Sequence, residues 1–120
     1  MHYAILIHES ESELAAREEP ARAGAYWAAY TAYSKALVDA GVARGGAGLR
    51  PPHDATTLRV RDGKRQVTDG PYADTKERLG GFYLIEVADL DKALEWAARC
   101  PAAASGSVEV RPTLPPPAQG

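Results

Sequence analysis

Cysteine is nearly absent from this chain: Cys100 stands alone among 120 residues. That excludes an internal disulfide and a cysteine metal cluster, and a cytoplasmic setting is expected. Large apolar side chains are also scarce. Leu, Ile, Val and Phe together number 21, against 23 alanines. A net charge of −2 is nevertheless too small to keep the chain expanded, so it is expected to fold around a thin core. Self-association is expected to complete that core. No stretch approaches 18 uninterrupted apolar residues, which excludes a membrane-spanning helix. Met1-His2-Tyr3 lacks the basic start of a signal peptide. A pI near 5.9 argues against general nucleic-acid affinity. Gly45-Gly46-Ala47-Gly48 has neither the Walker nor the dinucleotide-binding pattern, and His2 and His53 give no metal-ligand spacing. No metal or cofactor is expected.

What is present has an order. Tyr3–His8 is apolar in both alternating sets, as in a strand covered on both faces. The stretch 9–19, with five glutamates against Arg17, reads as a loop or a loose helical turn. From Arg22 to Ala40 the apolar period becomes helical, with Tyr26, Tyr30, Tyr33, Leu37 and Ala40 in a stripe. Gly41 then sits at a left-handed cap. Residues 45–54 read mostly as loop. Thr56–Arg61 and Lys64–Thr68 are short strands around Asp62-Gly63, a two-residue hairpin signal. Gly81–Val87 is another strand. Asp89 caps a helix striped by Leu90, Ala93, Leu94 and Ala97 and stopped by Pro101, and Val108–Arg111 closes the order. Residues 1–112 thus form one domain, and 113–120 a proline-rich extended tail.

The resulting β-α-β-β-(insert)-β-α-β order describes an α+β fold: a ferredoxin-like βαββαβ sheet with an extra hairpin. Its helix-free face would still carry apolar residues. A homodimer closing face to face into a dimeric α/β barrel is therefore expected.

The insert 69–81 reads Asp-Gly-Pro-Tyr-Ala-Asp-Thr-Lys-Glu-Arg-Leu-Gly-Gly. Asp74 and Glu77 resemble a capping box, so the spacing predicts a short helix over 75–79 with Lys76 in its first turn. Exposed amides beside a cation suit a carboxylate or phosphate. This run resembles the DGPF signature of the YCII-related family, with Tyr72 for its Phe and Asp74 for its Glu. Gly48–Pro51, Thr57–Thr68, Gly80–Glu86, Ala93–Ala98 and Val108–Pro112 resemble that subfamily too. The resemblance implies a dimeric ferredoxin-like barrel. It also implies a His–Asp pair, and a relative that eliminates chloride from a chlorinated ring without metal or cofactor. The pair's positions fall near Tyr30 and at Cys100, so that dyad is not carried over. Genomic association with extracytoplasmic-function sigma factors implies an accessory or regulatory role.

Two functional classes follow, both without membrane or direct nucleic-acid contact. One is a small-molecule-binding, accessory or regulatory protein that takes a small anionic metabolite. The other is a cofactor-free enzyme acting by proton transfer, eliminating or isomerising a small anionic or cyclic substrate. The catalytic candidates are His8 and Glu86, expected on the same sheet face, and Asp69, whose alternative role is to lock the Gly70 turn. Arg50, Lys76, Tyr72 and Tyr30 are the substrate-binding candidates: two cations for an anion and two aromatic walls. For Tyr30, packing in the core is the competing role. Glu109 and Arg111 are more simply an interface ion pair.

Overall fold

The computed structural model describes residues 1–73 and 75–115. Its elements are β1 (His2–Ser10), α1 (Glu11–Ala16), α2 (Ala23–Asp39), β2 (Ala43–Gly48), a 3-10 turn at Pro52–Asp54, β3 (Thr56–Arg61), β4 (Lys64–Asp69), β5 (Glu77–Glu86), α3 (Leu90–Ala98), α4 (Ala102–Ser105) and β6 (Ser107–Pro112). Four strands form one antiparallel sheet in the order β2-β5-β1-β6, while β3 and β4 pair only with each other. Without the ribbon, this is the ferredoxin-like order, with the first and third core strands in the middle.

Strand alternation decides the two faces. Tyr3, Ile5, Ile7 and Glu9 are buried along β1, while the residues between them are half-buried. Opposite them, Ile85 joins Tyr33 and Leu37 of α2, Ala93 of α3, Cys100 and Ala102 in the core. The helices therefore cover one face. The other carries Ala4, Leu6, Phe82 and Leu84, half-buried and uncovered by any described element. No helix among the described residues is long and apolar enough to cross a membrane.

The local signals act through identifiable contacts. Asp62 and Gly63 both take positive φ, 54° and 74°, as the two-residue turn demands. Gly41 ends α2 at φ 74°, and the Asp89 carboxylate accepts from the Lys92 amide at 2.9 Å. Four expectations are corrected. First, residues 45–48 are not loop but part of β2, a strand of mostly glycine and alanine that has almost no side-chain pattern to read. At Gly46 a Cβ would sit 2.5 Å from the Phe82 carbonyl oxygen, so the small residue is what permits pairing with β5. Second, no helix occupies 75–79: β5 begins at Glu77 and pairs Glu77 with Ser10 and Arg78 with Glu9. Tertiary pairing overrides the local cap signal there, and Asp74 itself lies outside the described residues. Third, 11–16 is a formed helix, because Ser10 caps it by accepting from the Glu13 amide at 3.2 Å. Fourth, Leu90, Leu94 and Ala40 are exposed; α3 packs through Ala93, Ala97 and Trp96 instead. In the tail, the Thr113 amide donates to the His2 carbonyl oxygen at 3.0 Å, and 116–120 lie outside the described residues.

Candidate functional site

A cleft of about 1110 Å³ opens at one end of the sheet. His8 from β1 and Ser107–Glu109 from β6 form one wall, Leu49–Pro52 with Asp54 and Ala55 a second, and Pro71–Ala73 with Thr75–Leu79 a third. Its location follows from an irregularity in β5. The β1–β5 register shifts between Ile7 and His8, so Gly81 opposes Ile7 while Leu79 opposes His8, leaving Gly80 as an extra residue. A Cβ on Gly80 would meet Glu9 Oε1 at 2.6 Å. Glycine is what lets the bulge close over that carboxylate.

Behind the bulge lies a buried polar cluster. Glu9 is 2% exposed and accepts from the Tyr26 hydroxyl at 2.7 Å. Arg17 donates through Nε to that same hydroxyl oxygen at 2.9 Å, and Nη2 stands 3.4 Å from Glu9 Oε1. It also donates through Nη1 to the Leu49 carbonyl at 2.6 Å and through Nη2 to the Gly80 carbonyl at 2.9 Å. One guanidinium thus ties together the ends of β2 and the β5 bulge, from which two cleft walls depart. Read as a loop or a loose helical turn, 9–19 gives no sign of a buried ion pair between Glu9 and Arg17. The available signal was phase: Glu9 continues the buried Tyr3, Ile5, Ile7 alternation.

Four candidates converge on the cleft: His8, Arg50, Tyr72 and Lys76. Lys76 brings a cation to the cleft, whose lining also holds the carboxylates of Asp54, Glu77 and Glu109. Arg50 donates from Nε to Asp54 Oδ2 at 2.9 Å, and this hydrogen bond holds the Asp54 carboxyl below its usual range. Tyr72 is 79% exposed, and the Arg59 guanidinium stands 5.3 Å from its ring centre. His8 Nε2 is 3.5 Å from Glu109 Oε1. A hydrogen bond from Arg111 is the main cause holding Glu109 below the ordinary carboxylate range, so Glu109 is an ionised acceptor that can orient the imidazole.

The other candidates lie elsewhere. Glu86 shares the open face with His8 but opposes His2, six residues away along β1, or about 20 Å. There it pairs with Arg44 at 3.0 Å and His2 at 3.5 Å. The expected convergence of His8 with Glu86 does not occur, because strand order brings Glu109 to His8 instead. Asp69 is exposed at the end of β4 and outside the cleft wall. The Gly70 turn is locked by its own amide donating to the Ala55 carbonyl at 2.7 Å and by the Thr57 hydroxyl donating to the Gly70 carbonyl at 2.8 Å. Asp69 therefore does not supply that lock. Tyr30 lies on the helix side of the sheet, packed against the core. Its buried hydroxyl has no hydrogen bond of normal geometry among the described residues. It nevertheless neighbours Cys100 closely enough for the two to perturb each other, and burial raises both groups above their usual ranges. The two positions that the resemblance pairs thus do meet in space, carrying a phenol and a thiol.

The sheet order, the single helix layer and a cleft on the uncovered end define a ferredoxin-like α+β protein with room for a small molecule. The chain belongs to the YCII-related domain family, whose sequence profile matches residues 1–115. An uncharacterized protein of Rhizobium meliloti (strain 1021) is 42% identical over 116 residues, spanning 93% of this chain and 91% of the relative. Among solved structures, the chain is similar to 5-chloro-2-hydroxyhydroquinone dehydrochlorinase of Burkholderia phenoliruptrix AC1100 in complex with 2,5-dihydroxybenzoquinone. The TM-score is 0.55 at 18% identity, covering 95% of this chain and 94% of that one. At that identity the likeness speaks for the fold alone.

Proposed function

We propose that this protein binds a small, oxygen-rich anionic ring in the cleft and acts as a homodimer joined at the open sheet faces. The observation that carries the binding reading is the convergence of His8, Arg50, Tyr72 and Lys76 on one cleft. Lys76 supplies a cation, Tyr72 a flat apolar surface, and His8 a hydrogen-bonding group on the sheet wall. The dehydrochlorinase complex supports the ligand class through a dihydroxybenzoquinone held on a similar fold. The dimer reading rests on Ala4, Leu6, Phe82 and Leu84, an apolar patch left without cover.

Calorimetric titration with 2,5-dihydroxybenzoquinone tests the binding reading. Lys76→Ala should weaken binding at least tenfold, and Tyr30→Phe, on the far side of the sheet, should leave it unchanged. Equal affinity for wild type and Lys76→Ala would sink the assignment.

A second reading, proton-transfer catalysis, is favoured by the His8–Glu109 pair at 3.5 Å. In that case His8 is the base or acid and Glu109 orients it, with Asp69 and Glu86 taking no part. His8→Gln would abolish turnover of a chlorinated hydroxyhydroquinone while retaining binding. Binding by wild type without turnover would instead assign the cleft to an accessory or regulatory role, with occupancy as its output.

A further inference from the structure

The two cleft walls that carry Arg50 and Lys76 come together at one rung of the sheet. β2 pairs with β5 as far as Gly48 opposite Gly81, and the Leu49 amide then donates to the Gly80 carbonyl oxygen at 2.9 Å. Beyond that rung the segments part. Arg50 follows Leu49 into one wall, while Lys76 and Leu79 precede Gly80 in another. The end of a ladder is where backbone hydrogen bonds open most readily.

Arg17 closes this end. It is the C-cap residue of α1, and that helix, capped by Ser10 and buried through Leu14 and Ala16, carries it back over the Gly80 bulge. Its Nη1 donates to the Leu49 carbonyl at 2.6 Å and its Nη2 to the Gly80 carbonyl at 2.9 Å. One planar guanidinium therefore bridges both sides of the last rung. The Gly80 oxygen accepts twice, from Leu49 and from Arg17. The Tyr26 hydroxyl oxygen accepts from Nε at 2.9 Å and fixes the plane of the group. The Arg17 side chain is itself buried and is not among the residues that line the cleft. It can reach a ligand only through the backbone it holds.

We infer that Arg17 is a positioning residue for the cleft: its fork sets how the wall bearing Arg50 stands relative to the wall bearing Lys76, and ligand affinity depends on that setting. The inference rests on the binding reading proposed above and adds a residue that never touches the ligand. Groups that recognise a small molecule must be held within about 0.5 Å of their working positions, and side chains outside the contact layer do that holding. The chemistry requires arginine. Five donors in a rigid plane can serve two carbonyls and a phenol at once, whereas a lysine ammonium keeps the positive charge beside Glu9 but is a single point without the fork.

Calorimetric titration of 2,5-dihydroxybenzoquinone into wild type and Arg17→Lys, with circular dichroism of each, tests this. Arg17→Lys should remain folded and bind at least tenfold more weakly, and exchange of its Leu49 amide should accelerate while that of Ile5, in the middle of β1, stays slow. Asp89→Ala loosens the fold at the α3 cap, remote from the cleft, and should leave affinity unchanged. Gly80→Ala approaches the same contact from its other end, because a Cβ there would stand 3.0 Å from Arg17 Nη2. It should weaken binding in the same way, and it carries the test if Arg17→Lys does not fold. A folded Arg17→Lys that binds as tightly as wild type overturns the inference and leaves the binding reading standing. Equal weakening by Asp89→Ala also overturns it, because general loosening would then account for the loss. A wild type that does not bind the quinone overturns the binding reading and this inference with it.

Discussion

Arg17 contacts two backbone carbonyls, a phenol and a carboxylate while its own side chain is only 8% exposed. Removing it leaves the buried Glu9 side chain held, among the described residues, by Tyr26 alone. Arg17→Met should therefore destabilise by about 3–5 kcal/mol, the usual cost of orphaning one member of a buried ion pair. Tyr30 is the converse case. Its hydroxyl is buried without a hydrogen bond of normal geometry among the described residues, and an unsatisfied polar group costs about 1–3 kcal/mol. Tyr30→Phe should accordingly raise stability by about 1 kcal/mol. Urea midpoints check both. A loss below about 1 kcal/mol in Arg17→Met would show that water replaces the guanidinium, and the cluster would then be no clamp.

At the scale of the element, β2 has few ways to hold its place. Its side chains are almost all glycine or alanine, and Gly46 has φ 142° with the Phe82 carbonyl against its α-carbon. Gly46→Ala should shift β2 off β5 at a cost of about 1–3 kcal/mol. Hydrogen exchange of the β5 amides that face β2 should accelerate, while those facing β1 stay protected. Uniform exchange along β5 would refute a local effect. The cap of α3 is simpler: Asp89→Ala should cost about 1 kcal/mol, because the Lys92 amide loses its acceptor.

The whole molecule measures 52 × 47 × 20 Å, with a radius of gyration of 16.3 Å against about 14 Å for a compact chain of this length. Such a slab, about one sheet and one helix layer thick, leaves its open face uncovered. Titration of paired groups adds to this picture. Glu86 is lowered first by its hydrogen bond from Arg44 and then by the charge of His2, and Glu19, Asp54 and Glu109 are lowered mainly by hydrogen bonds from arginines. A carboxylate lowered in the folded state binds fewer protons there than in the unfolded chain. Its contribution is present above about pH 4.3 and is lost as pH falls through the folded value. Stability should thus decline in acid, and Glu86→Gln should flatten the decline between pH 5 and about 3. At the alkaline end, burial raises Tyr26, Tyr30, Tyr33 and Tyr83. Their contribution is complete below the ordinary phenol value of about 10 and is lost above it, as the unfolded chain ionises first. Ultraviolet titration should show a late phenolate phase that coincides with unfolding. Ionisation of these four well before the fold is lost would contradict their burial.

Local and periodic signals were enough to determine much of this protein. The alternation of β1, the helical stripe through Tyr26, Tyr33 and Leu37, the Asp62-Gly63 turn and the Asp89 cap each depend on neighbours within a few residues. For that reason they can be read along the chain, and together they give the element order and the α+β class. The family resemblance was legible in the same way, from the 69–81 run and its flanks. Only tertiary structure decided the rest. Strand order brings Glu109 rather than Glu86 to His8; pairing with β1 draws 77–79 out of a helix and into β5; the bulge at Gly80 buries Glu9 beside Arg17. Each depends on which distant backbone supplies the hydrogen-bonding partner. A side chain's own pattern carries its periodicity, and its partner is set by where the other strands come to lie.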